Sequence, residues 1–158
     1  MKTLIIHHLE KTWEHGYKNH GTSFEEMAKK VISHIKRAKY DKVILTQFES
    51  SDPKDEHFES GIYKFVDEWY EYGYAWTIEE SDKTTTTEHG FILDEYGNKY
   101  TNGGNHSEVV LIEDWMLELS SHDDISICGA FEGECLEDLE IALSACSLKF
   151  RKIKNLIV

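Results

Sequence analysis

Hydrophobic positions in the first fifty residues form two short continuous runs separated by a stretch with helical spacing. The runs at residues 3–6 and 43–46 are rich in β-branched residues and leucine, which predicts two buried strands. Residues 9–21 are polar and aromatic and predict a loop. Thr22 and Glu25 match a capping box, and the apolar positions at residues 24–38 predict a helix. Strand, helix and strand in this order indicate a βαβ unit with parallel strands.

A similar order recurs towards the carboxyl end. Apolar residues from Val109 to Leu119 predict a helix, and residues 125–128, 135–145 and 152–158 predict a strand, a helix and a closing strand. Between these two parts of the chain, the apolar positions at residues 62–69 predict a short helix, and residues 91–101 predict a hairpin. We therefore expect an α/β protein, a three-layer sandwich with a mainly parallel, Rossmann-like sheet. It forms a single domain over residues 1–158 with an irregular, aromatic-rich insertion around residues 60–105.

Composition limits the function classes. The 158 residues carry 17 Lys plus Arg against 30 Asp plus Glu, a formal charge of −13, which disfavours binding to nucleic acid or to anionic membrane surfaces. No apolar stretch approaches the roughly 20 residues of a membrane span. Three cysteines and no signal peptide predict a cytoplasmic protein without a disulfide framework.

Ligand crevices in parallel sheets lie beyond the carboxyl ends of the strands, which here selects residues 7–10, 47–49 and 129–135. In the last segment a strand, a turn with Gly129 and a helix start bring Cys135 to the position where N–H groups and the helix dipole stabilise a thiolate. Cys135 is the candidate nucleophile. It is alternatively a small packing residue, and the acids around it raise a thiol pKa. Cys128 and Cys146 are expected in the core.

Gly129 and Cys135, six residues apart after a strand, resemble the motif of the isochorismatase-like cysteine hydrolases. That family includes nicotinamidases and ureido amidohydrolases. The resemblance implies an isochorismatase-like fold and cleavage of an amide or ureide C–N bond of a small molecule through Cys135. It covers roughly the first and last fifty residues.

The resemblance also assigns roles to residues elsewhere. His8 stands where the family has its catalytic aspartate and would move the proton, and Lys99 would supply the cation, although a solvated loop lysine is the alternative. Gln47 follows the family's Thr-Gln pattern, and Glu10 occupies the place of a glutamine. The predicted ligand-binding residues are Gln47, Glu10, Phe131 and Glu134. Phe48 replaces an acid that binds a divalent metal in nicotinamidases.

Two further functions remain open at the level of sequence. The missing aspartate is compatible with a catalytically inactive protein that binds a small ligand or a partner protein. His7 or His8, with Glu10, Glu49 and His57, is compatible with a metal-dependent hydrolase, and no other cofactor is expected. Adjacent strand residues point to opposite faces, so both histidines reach one site only if the strand ends between them.

Aromatic residues concentrate between Trp69 and Trp76. Tyr and Trp are enriched at subunit interfaces, and small α/β proteins of the resembled family commonly pair through such segments, so the resemblance implies a homo-oligomer. A covering flap or a stacking wall for a planar ligand would use the same residues.

Overall fold

The computed structural model describes residues 1–48, 60–72, 84–85 and 90–158. The chain divides into two compact units. The first unit comprises Met1–Tyr72, Asp123–Phe131 and Phe150–Val158, and the second comprises Gly73–His122 and Glu132–Lys149. That residues 1–158 fold as a single domain stays a prediction.

The first unit contains a five-stranded parallel sheet. Its strands are β1 (Lys2–His7), β2 (Lys42–Gln47), β3 (Glu68–Glu71), β8 (Asp124–Gly129) and β9 (Phe150–Ile157). They are ordered β3-β2-β1-β8-β9, and every neighbouring pair is parallel. The α/β class and the parallel sheet are confirmed. Because β1 is central, its carboxyl end meets those of β2 and β8 at one edge of the sheet.

Helix α2 (Phe24–Ala38) packs one apolar face into the core of the first unit. Met27, Val31 and Ile35 are buried in the same core as Leu4 and Leu45. These helix positions recur every four residues, so one face collects them while charged residues occupy the other. The predicted helix is confirmed.

The cap of α2 differs from the predicted one. Ser23, and not Thr22, is the N-cap: its hydroxyl accepts a hydrogen bond from the backbone N–H of Glu26 at 3.1 Å. Ser23 has the extended backbone that a cap requires. The Thr22 hydroxyl instead donates to the Glu26 carboxylate at 3.2 Å. The sequence offered two adjacent hydroxyl residues, and the backbone geometry selected the second.

Residues 9–21 do not form the predicted loop. A 3₁₀ turn (Lys11–Trp13) leads into helix α1 (Glu14–Asn19). The short helix places Tyr17 inside the core with no exposed surface. Burial of this aromatic ring explains the difference, since it stabilises a helix that the local sequence alone would not form.

The predicted helix at residues 62–69 is only partly observed. Residues Ile62–Phe65 form a 3₁₀ turn, and Glu68–Glu71 form β3, which pairs with β2. Strand pairing with β2 overrides the weak helical spacing of this short segment.

The second unit contains an antiparallel sheet and two helices. Its elements are β4 (Thr84–Thr85), β5 (Ile92–Leu93), β6 (Lys99–Asn102), β7 (Val109–Ile112), α3 (Asp114–Glu118) and α4 (Cys135–Ala145). The strand order is β4-β5-β6-β7. The hairpin of β5 and β6 and helix α4 were predicted, whereas residues 109–112 were wrongly predicted to be helical. Their β-branched side chains pair with β6 instead. Within the described ranges, no helix has the length and apolar character needed to cross a membrane.

Candidate functional site

Two histidines occupy the carboxyl end of the central strand in the first unit. His7 is the last residue of β1, and His8 follows with a backbone φ of +51°, in the left-handed region. The strand therefore ends between them, which is the condition under which both rings reach the same side. The rings stack with centroids 3.9 Å apart and an interplanar angle of 17°. Both residues are fully buried.

Neighbouring strands hold this histidine pair from two directions. His7 Nδ1 lies 2.7 Å from the Thr46 hydroxyl on β2, and the Tyr72 ring meets His7 edge-on at a centroid distance of 5.8 Å. The backbone N–H of His8 donates to the Thr46 carbonyl at 2.9 Å. Tyr17 donates its hydroxyl proton to the His8 carbonyl at 2.6 Å. The position of His8 is thus fixed by main-chain bonds that do not depend on its ring.

Burial lowers the pKa of His8 well below its ordinary value, and the adjacent His7 lowers this pKa further. Desolvation disfavours the charged imidazolium, and a second imidazole nearby opposes the same charge. His8 is therefore a neutral imidazole near pH 7. A neutral ring can accept a proton, as the role predicted for His8 requires, but it supplies no positive charge to an anionic substrate.

Glu10, predicted to contact a ligand, is 2% exposed and has partners within the chain. The backbone N–H of Phe48 lies 3.0 Å from both carboxylate oxygens, and Trp13 Nε1 donates to Oε2 at 3.2 Å. The Glu10 N–H in turn donates to the Tyr17 hydroxyl at 3.2 Å. Glu10 therefore joins the segment after β1 to the residue after β2.

Gln47 and Phe131, two further predicted ligand-binding residues, are also buried in the first unit. Gln47 ends β2, and its carbonyl accepts the N–H of Tyr72 at 2.8 Å. Phe131 belongs to the hydrophobic core, where its ring lies 5.2 Å from Tyr17 and stacks on His20 at 5.3 Å. The Phe131 ring is thus part of the packing that holds α1.

The turn between β8 and α4 carries the predicted glycine-to-cysteine motif. Gly129 has φ +115°, and a Cβ built there would lie 1.9 Å from the His7 carbonyl oxygen. Only glycine permits this approach of β8 to β1. Cys135 is the first residue of α4 and is half-buried. Glu134, predicted as a ligand contact, precedes the helix and makes no side-chain cap bond.

The other two cysteines are poor nucleophiles. Burial raises the pKa of Cys128 to about 12 and that of Cys146 to about 11. Both therefore stay thiols at neutral pH, and a thiol reacts far more slowly than a thiolate. Cys128 lies in the core as predicted, whereas Cys146, also predicted there, is only half-buried because it follows the last turn of α4.

A cluster of polar side chains lies at the first turn of α4, all within the second unit, and sequence reasoning missed it. His106 Nδ1 lies 2.7 Å from Asp138 Oδ2, and the Ser107 hydroxyl donates to the same oxygen at 2.8 Å. Asp138 is fully buried. The sequence showed Asp138 only as one of several acids around Cys135. Its spacing of three residues from Cys135, which places both on one side of the predicted helix, was the signal that could have found it.

Lys99 lies on β6, in the hairpin that the sequence predicted. Its Nζ is 3.6 Å from Asp114 Oδ1 on α3. A partly exposed pair of this kind contributes little to stability. His8, Glu10, Gln47 and Phe131 thus belong to the first unit, and Lys99, Glu134 and Cys135 belong to the second.

In the part of the chain that the structure describes, no three histidine, cysteine or acidic side chains group in a way that could hold a metal ion. Two ligands of the metal hypothesis, Glu49 and His57, lie outside the described residues, as do Tyr74 and Trp76 of the aromatic segment. No protein-family model, curated protein or solved structure matches this chain.

Proposed function

We propose that this chain is a hydrolase that cleaves an amide or ureide C–N bond of a small molecule through the thiol of Cys135. The proposed scaffold is a three-layer α/β sandwich similar to that of the isochorismatase-like cysteine hydrolases. One observation carries the proposal: β8 ends at Gly129 in a parallel sheet, and helix α4 begins six residues later at Cys135.

The position of Cys135 suits a nucleophile. The first residues of a helix have N–H groups without intrahelical partners, and these groups and the helix dipole stabilise a thiolate and an oxyanion. Cys135 is half-buried, so the residue is partly accessible from solvent. Glu137 and Asp138 in the first turn oppose a thiolate, so the proposal requires a proton acceptor or a cation near the sulfur.

The reaction would proceed by acyl transfer. The Cys135 thiolate would attack the carbonyl carbon, the C–N bond would break with protonation of the leaving nitrogen, and water would hydrolyse the thioester to an acid and regenerate the thiol. Main-chain N–H groups near Glu134 and Cys135 would hold the oxyanion. The resemblance assigns proton transfer to His8 and the cation to Lys99, and both roles stay predictions.

The proposal is tested with iodoacetamide labelling near pH 7.5, read for each cysteine by mass spectrometry, and with a panel of small amides and ureides. We expect Cys135 to react at least about tenfold faster than Cys128 and Cys146, because those two thiols have raised pKa values. Cys135→Ser should abolish hydrolysis, whereas the control variant Cys146→Ala should retain it. Equally slow labelling of all three cysteines would refute the proposal.

One observation favours a non-catalytic protein as the second candidate. The end of β1 carries two buried, stacked imidazoles and a glutamate whose oxygens bond within the chain, in place of a carboxylate directed at a substrate. In this case the fold would bind a small ligand or a partner protein without turnover. Ligands found in a thermal-shift screen should then bind Cys135→Ala as tightly as the unmodified protein, and a large loss of affinity would exclude this candidate.

The homo-oligomer and the cytoplasmic setting also stand as proposals. Trp69 on β3 is 42% exposed, which fits the aromatic interface expected from the sequence. The odd number of cysteines fits a reducing compartment. Light scattering of Trp69→Ser against the unmodified protein tests the interface, since a change of molar mass is expected only if Trp69 contributes to it.

A further inference from the structure

The loop between β6 and β7 is attached to the first turn of α4. The backbone N–H of Asn105 donates to Glu137 Oε1 at 3.2 Å. Gly104 approaches so closely that a Cβ there would lie 2.4 Å from the same oxygen. Both contacts hold the loop against the end of the helix that begins at Cys135.

The next two residues of this loop bind a buried carboxylate. His106 Nδ1 is 2.7 Å from Asp138 Oδ2, and the Ser107 hydroxyl donates to that oxygen at 2.8 Å. Asp138 has no exposed surface, and its second oxygen, Oδ1, has no hydrogen-bond partner among the residues that the structure describes. The two hydrogen bonds to this buried carboxylate hold the His106 ring in one orientation.

Cys135 and Asp138 are three residues apart on α4. Residues with this spacing are neighbours on one helix face, with Cβ atoms about 5–6 Å apart. Asp138 thus connects His106 to the helix turn that carries the Cys135 thiol. When Nδ1 of the neutral ring donates to the carboxylate, Nε2 carries the lone pair that can accept a proton.

From this arrangement we propose that His106, in place of His8, accepts the proton of the Cys135 thiol and that Asp138 is a positioning residue that orients His106. The inference rests on the hydrolase proposed above. The proton passes from Cys135 Sγ to His106 Nε2, and the thiolate forms a bond to the substrate carbonyl carbon. The C–N bond then breaks as the same proton passes to the leaving nitrogen. In the second half, His106 takes a proton from water, hydroxide displaces the thiolate from the thioester, and the thiolate regains the proton.

The charged groups of α4 and of the strands beside its loop are mostly acidic. Glu134, Glu137 and Asp138 come from α4 or directly precede it, Glu108 follows the loop, and Lys99 on β6 is paired with Asp114. Most of these groups are acidic, and acids oppose a thiolate. The proton that His106 receives in the proposed step would add one positive charge to this mainly acidic set.

The test measures the rate of Cys135 alkylation by iodoacetamide between pH 5.5 and 9, by mass spectrometry, in the full chain. The key variant is His106→Asn, because its amide nitrogen still donates to Asp138 from the place of Nδ1 but has no basic atom. We expect the rate at pH 7 to fall by about tenfold or more and the profile to move to higher pH. Asp138→Asn should move the profile in the same direction by less, since its carbonyl still accepts the Nδ1 proton.

Cys146 in the same samples is the internal control. At each pH its alkylation rate should be the same in the variants as in the unmodified protein. His106→Gln is the second variant if His106→Asn does not fold. A profile like that of the unmodified protein in the folded His106 variant would overturn the inference and leave the proposed hydrolase intact. If Cys135 is unreactive in the unmodified protein, both the inference and the proposed function fail.

Discussion

The imidazole of His7 lies face to face with that of His8, with ring centroids 3.9 Å apart, at the buried end of the central strand. Because burial and the adjacent ring lower the pKa of His8, the folded protein binds fewer protons there than the unfolded chain. Stability contributed by this difference is present above the ordinary pKa of 6.5 and is lost as the pH falls below it.

We therefore expect the free energy of unfolding to decrease below pH 6.5 by up to about 1.4 kcal/mol per pH unit. His8→Asn, which tolerates the left-handed backbone, should reduce this dependence. The measurement is urea unfolding from pH 5 to 8, with the exposed His122→Asn as the control. Equal slopes for the unmodified protein and His8→Asn would contradict the prediction.

The Tyr17 hydroxyl satisfies two buried backbone groups, the carbonyl of His8 at 2.6 Å and the N–H of Glu10 at 3.2 Å. Tyr17→Phe keeps the ring in the core but leaves both groups without this partner. We expect a loss of about 1–3 kcal/mol in the free energy of unfolding. Tyr96→Phe, at a residue that is 81% exposed, is the matched control and should change stability by less than about 0.5 kcal/mol. Identical losses would show that the hydrogen bonds of Tyr17 contribute nothing.

Gly129 permits the contact between β8 and β1, since a Cβ there would meet the His7 carbonyl oxygen at 1.9 Å. Gly129→Ala combines this clash with a strained φ of +115°, and we expect a loss of about 3 kcal/mol or more. Gly133→Ala has a similarly positive φ, +77°, but open space around the added methyl group. It should cost only about 1–2 kcal/mol. Thermal unfolding of both variants checks the difference, and equal costs would exclude the close approach as the cause.

The cap of α2 provides a matched pair of variants. Ser23→Ala removes the hydroxyl that accepts the Glu26 N–H and should cost about 1 kcal/mol. Thr22→Ala removes only an exposed bond to the Glu26 side chain and should cost less than half as much. Chemical denaturation of both variants is the measurement. A larger loss for Thr22→Ala would support the cap that the sequence pattern favours.

Segments with clear boundaries could be predicted from the sequence, and a segment that runs into the next element could not. The helix at residues 24–38 has enough turns for one apolar face to be unambiguous, and continuous apolar runs indicated the buried strands β1, β2 and β8. Val109–Ile112 is followed closely by helix α3, so its apolar residues were assigned to the same helix. Pairing with β6 makes this segment a strand, and no local sequence pattern reveals that pairing.

The same distinction applies to the candidate site. Cys135 at the start of α4 followed from the local order of strand, glycine turn and amphipathic helix. The bond between His106 and Asp138 joins residues that are 32 positions apart, and it exists because the Gly104 loop docks on α4. The stacking of His7 on His8 needed the strand to end between them, which is a backbone property.

By itself, the sequence determined the parallel α/β class, the amphipathic helix and the cysteine at a helix start, because each depends on residues close together in the chain. Only the tertiary structure decided which acids and histidines meet and which carboxylates hold loops. Hydrogen bonds and desolvation act between atoms that folding brings within a few ångströms, whatever their separation along the chain.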